Sequence, residues 1–152
     1  MTALSRLARD ERGNSFVEMA LAAPLFAALL VGTVDISRAY AARIELEQAA
    51  QRATEKVQAS IYVETDNATL KTEAETAAGS GSTATVTSWL QCGSSASKLS
   101  YSGTCADGET LARYVQVGIT KSYTPLFSAR IFANKNSNGT VPLTGKSGVR
   151  VQ

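Results

Sequence analysis

A carboxylate at the edge of an apolar run is the strongest chemical signal in this chain. Glu18 stands at the start of a stretch with no further charge until Asp35. In hydrocarbon such a group costs about 2.5 kcal/mol or more unless it meets a partner, so its position implies a function. It belongs to the junction Arg12-Gly13-Asn14-Ser15-Phe16-Val17-Glu18, where a leader containing Arg6, Arg9 and Arg12 gives way to apolar sequence. Cys92 and Cys105 are the other reactive pair, with twelve residues between them in a Gly/Ser-rich stretch. Closing that loop as a disulfide would stabilise a small domain by about 3 kcal/mol and place it in an oxidising compartment. Two buried free thiols are the alternative, and the spacing excludes CxxC redox chemistry. The chain has no histidine, which removes the commonest general base and metal ligand. Two cysteines alone cannot complete a Cys/His zinc site. We therefore expect no catalytic residue, metal or cofactor.

Weaker patterns support the same expectation. Gly145-Lys146-Ser147 has the ending of a phosphate loop, but Thr140 stands where that loop needs glycine. Asp66, Glu73 and Glu75 read as a solvated face rather than an acid/base pair. A net charge of +2, with scattered basic residues, argues against nucleic acid as a partner.

The elements that must hold these residues follow from periodicity. Sixteen uncharged residues separate Glu18 from Asp35. As helix they span about 24 Å, against roughly 30 Å of hydrocarbon. Phe16, Val17 and Ile36 nearly close the gap, giving a short membrane span over 16–36. A secretory signal cut near Ala20-Leu21-Ala22, a buried core helix and a plain anchor are the competing readings; the last leaves Glu18 unexplained. Helix-forming sequence without Gly or Pro continues from Asp35 to about Ile61. Leu46, Ala50, Ala53, Val57 and Ile61 make one apolar stripe along it. The expectation is a single helix over 14–61, roughly 70 Å long, with a kink or loosened turn at Pro24.

Beyond Ile61 the pattern changes. A short helix is expected over about Ala68 to Ala78, ended by Gly79-Ser80-Gly81-Ser82. Ala84, Val86, Ser88, Leu90 and Cys92 then alternate with polar residues as a strand. Arg113 to Tyr123 reads as a second strand and Val149 to Gln152 as a third. The intervening CGSSASKLSYSGTC reads as a surface loop suited to contacts. Tyr123-Thr124-Pro125-Leu126-Phe127 is expected to pack as core against the long helix. The predicted fold class is α+β: a long N-terminal membrane-spanning helix packed against a small, three-stranded antiparallel sheet with one disulfide. Residues 1–13 form the leader, 14–61 the helix and 62–152 the head.

The stretch GNSFVEMALAAPLFAALLVGTVDISRAYAARIELEQAAQRA resembles the signature segment of TadE-like minor pilins, or pseudopilins, of the tight-adherence (Tad) type IV pilus. Gly13, Glu18, Pro24, Gly32, Asp35, Tyr40, Ala49, Ala50 and Ala53 occupy the matching positions. The resemblance implies a type IV pilin-like fold and cleavage between Gly13 and Asn14 by a prepilin peptidase at the cytoplasmic face of the inner membrane. Glu18 would then be the fifth residue of the mature chain. The new amine of Asn14 on a neighbouring subunit would neutralise it and set the stagger between subunits. Implied partners are the peptidase, other Tad pilins, the inner-membrane assembly platform and the lipid bilayer, with the head periplasmic or, in a pilus, extracellular. Asn14 stands where type IV pilins usually have Phe, and Met19 where Tad major pilins carry an aromatic. These departures and the chain's size fit a minor component used in pilus biogenesis and adhesion. The rivals are a permanently anchored periplasmic binding protein and an envelope enzyme using Ser or Asp residues.

Overall fold

A computed structural model describes residues 14–59, 62–126 and 136–151. Helix α1 covers Asn14–Ala59, 46 residues, and runs as one α-helix through Pro24. A single 3-10 turn at Glu64–Asp66 leads into helix α2, Asn67–Ala78. Strands β1 (Ser82–Cys92), β2 (Leu111–Tyr123) and β3 (Val141–Arg150) follow. They form one antiparallel sheet in the order β1-β2-β3. The α+β expectation therefore holds, as does the disulfide between Cys92 and Cys105, whose Cα atoms lie 5.5 Å apart.

Alternation along the strands decides which face is covered. Ala84 pairs with Ile119, Val86 with Val117 and Ser88 with Val115. Val115, Val117 and Ile119 are fully buried beneath Leu46, Ala49, Ala50, Ala53 and Val57 of α1. Each such strand residue contributes about 1.5–3 kcal/mol by leaving water. Leu70 and Ala74 of α2 close the same core beside Ala84. The predicted stripe on the long helix is thus the buried one, with Ile61 outside the described residues.

The third strand departs from expectation. It runs Val141–Arg150 rather than Val149 to Gln152. Pro142, Gly145 and Gly148 break the apolar period that would mark it, yet Pro142 is tolerated because β3 lies at the sheet edge. Gly145 has a specific reason. A Cβ there would collide with the backbone of Leu46 and Glu47, so α1 lies directly on the strand. Two residues on, the Thr54 and Ser147 hydroxyls hydrogen-bond at 2.9 Å across the same seam. Gly145-Lys146-Ser147 is therefore strand, and two of its three residues serve helix packing.

The opposite edge is covered at two points. The Glu75 carboxylate accepts the Ala84 N–H at 2.9 Å. Leu90 and Leu99 exchange backbone hydrogen bonds of 3.1 and 2.8 Å. Residues 93–100 of the disulfide loop are exposed, as expected, but Tyr101 packs edge-on against Tyr62. Arg113 Nε donates to the Tyr101 carbonyl at 3.0 Å. The loop is tied down at its far side as well as at its base.

Gly145→Val should lower stability by about 1–3 kcal/mol or more through overpacking against the helix backbone. Gly148→Ala should change little, because a Cβ there meets only ordinary contacts, the nearest at 3.6 Å. Urea unfolding of the two variants in detergent would show the difference, and equal stabilities would contradict the close-approach account.

Candidate assembly site

The long helix changes character at Asp35. From Phe16 to Val34 no residue is buried, and large apolar side chains point outward on every side, Phe16 at 84% exposure and Met19 at 75%. Water does not tolerate an apolar surface of that extent on a soluble domain. An 18-residue window here has a mean hydropathy of 2.0. Thr33 Oγ1 near the end of the stretch donates to the Leu29 carbonyl, and Ser37 Oγ just beyond it to that of Thr33, each at 2.8 Å. One long apolar N-terminal helix of this kind fits a single-pass membrane protein.

Of the residues singled out by sequence, Gly13 lies outside the described residues. Asn14 opens the described part of α1, and Glu18 follows one turn later on an exposed face. Pro24 lies within the uncovered half. Cys92 and Cys105 are at the opposite end of the molecule, bonded to each other. Glu109 lies beside both sulfurs, but their disulfide removes them as metal ligands.

Asp35 is the residue whose role the sequence did not reveal. It is only 3% exposed although it sits at the end of the span. The Tyr123 phenol donates to its Oδ1 at 2.5 Å and to its main-chain carbonyl at 3.2 Å. The Leu126 N–H donates to the same Oδ1 at 3.1 Å. The chain bends at Leu126 just beyond β2, where its N–H meets the carboxylate. Tyr123-Thr124-Pro125-Leu126 thus does more than pack: it clasps a carboxylate, while Phe127 is outside the described residues. Asp35 as the first charge after the span, and an aromatic just before Pro125, were the available signals. Nothing local linked them.

The clasp also perturbs the phenol. Burial, the hydrogen bond to Asp35 and the carboxylate's charge raise the Tyr123 pKa above its ordinary value of 10.0, with Arg38 opposing. Tyrosine in the unfolded chain ionises near 10. The contribution to stability is therefore complete below about pH 10 and is lost as pH rises through the higher folded value.

Residues 13–55 match the family model described as TadE-like protein. No curated protein and no solved structure matches the chain. The matched segment contains the junction, the uncovered half of α1, Asp35 and most of the stripe under the sheet; the head's strands lie beyond it.

Tyr123→Phe should cost about 1.5–3 kcal/mol at neutral pH, the usual value of a hydrogen bond to a charged group. The variant should also lose stability less steeply than the parent above about pH 10. Denaturant unfolding across that range checks both, and parallel alkaline profiles would remove Tyr123 as a contributor.

Proposed function

We propose that this chain, TadE-like over residues 13–55, is a structural minor pilin of a Tad-type pilus, processed after Gly13 and inserted in the inner membrane with its head on the periplasmic side. The match associates the chain with the Tad pilus system. The observation that carries the finer reading is the division of α1 at Asp35. One half is apolar all round and uncovered; the other is a packed part of the head. A helix so divided can leave the bilayer and enter a helical bundle without unfolding its head, because the head does not use the apolar half.

Glu18 then has a defined task. Cleavage between Gly13 and Asn14 creates an amine one helical turn from the carboxylate, at the positive end of the helix dipole. In a bundle of such helices the amine of one subunit and Glu18 of its neighbour form a charge-assisted pair in low dielectric. The pair is costly in any other register, since an unmatched partner remains buried as a charge. Pro24 loosens the backbone in the half that must adapt to its neighbours. The role is architectural rather than catalytic, and the partners are the prepilin peptidase, other pilins and the assembly platform. Adhesion would belong to the head.

Replacing Gly13 with Val should block processing, leaving a species longer by the thirteen-residue leader. N-terminal sequencing of the mature protein should begin at Asn14; an intact Met1 would favour a permanent anchor. Glu18→Ala should insert at least as well as the parent, since burying Ala removes a cost of about 2.5 kcal/mol or more. It should nevertheless be depleted from sheared pili, and normal incorporation would defeat the register argument.

A further inference from the structure

The inner face of the sheet is covered by α1 and α2, whereas no described helix packs on its outer face. The three strands contain no Asp or Glu. Of their four cations, Arg113 and Lys121 point inward and bond main-chain carbonyls of Tyr101 and Ala78. Lys146 and Arg150 lie on the outer side and are exposed, Arg150 Nη2 also donating to the Leu111 carbonyl at 3.4 Å. Lys98 joins them from the disulfide loop, its Nζ 3.8 Å above the Trp89 ring. Trp89 stacks on Tyr114 with centroids 5.6 Å apart, and Arg150 stands opposite Tyr114 on β3. At the centre of the face Gly118 floors a shallow groove of about 280 Å³, walled by Thr85, Thr87, Thr120, Thr144 and Lys146. Gly118 lies between Thr85 on one strand and Lys146 on the other.

We propose that this outer face binds an acidic polysaccharide. Threonine hydroxyls both donate and accept, which matches sugar hydroxyls rather than a bare ion. Lys146, Arg150 and Lys98 are spaced apart, suiting a polymer with one carboxylate per ring. Duplex DNA, with a charge for every ~1.7 Å of axis, calls for a denser basic patch. Lipid headgroups are excluded by position. The sheet runs away from the span, with Tyr123 and Val141 at the near end and Trp89, Tyr114 and Arg150 at the far end. Thr54, which meets Ser147, lies roughly 28 Å of helix beyond Asp35, well past a Debye length of about 8–10 Å. The proposal concerns the head alone and is independent of processing at Gly13.

The full chain in phosphatidylcholine nanodiscs, probed with polygalacturonate, tests it. Binding should weaken with added salt, and dextran, which lacks carboxylates, should not bind. Lys146→Gln with Arg150→Gln should weaken binding about tenfold or more, as expected for losing charge-assisted hydrogen bonds. Thr85→Ala with Thr87→Ala should weaken it by a smaller factor at unchanged charge. Lys71→Gln, exposed on α2, should leave it unchanged. Unaltered thermal unfolding would show that the variants fold. No binding to polygalacturonate, equal binding by both double variants and the parent, or tighter binding to duplex DNA or phosphatidylglycerol vesicles would each overturn the proposal.

Discussion

The backbone of α1 at Leu46 and Glu47 occupies the space that a side chain at position 145 would need, and the architecture depends on that contact. Small groups on both sides allow it: no side chain on the strand, and Ala49, Ala50 and Ala53 on the helix. Close approach leaves little freedom of rotation between helix and sheet. The Thr54–Ser147 hydrogen bond reinforces the seam, and the Asp35 clasp fixes it again about five turns nearer the span. Held at separated points, the head is rigidly coupled to the direction of its helix. A rotation of the uncovered half of the helix therefore carries the head with it.

The two carboxylates that bracket the span have opposite environments. Asp35 is withdrawn from solvent and receives donors from Tyr123 and Leu126, 88 and 91 positions away in sequence. Glu18 stands on the part of the helix that the head leaves uncovered. Removing a donor from the first would strand a buried charge within the subunit. The second is placed where its energetics depend on what surrounds the helix.

Local patterns made much of this visible. The absence of Gly and of any further Pro between Pro24 and Ile61 apart from Gly32, with a stripe from Leu46 to Val57, announced the long helix. Period-two alternation announced β1 and β2, and loop size suggested the disulfide. What stayed hidden was long-range. β3 lacks the alternation because Pro142 and Gly145 answer to an edge and a helix backbone that no window of sequence contains. Asp35 and Tyr123 were each visible as unusual residues, but pairing them requires the fold. Gly145-Lys146-Ser147 drew attention through its likeness to a phosphate loop, whereas its composition reflects packing from below and solvent from above.

The Glu75 carboxylate on the Ala84 N–H, with Leu99 paired to Leu90, bears on how copies of the head meet one another. A three-stranded sheet has two open margins, each a template for runaway strand addition when many copies crowd together. Here one margin is occupied by a side chain and a loop of the same chain, and the other carries Pro142 and Lys146. Copies of the head can crowd together without zipping into amyloid-like stacks.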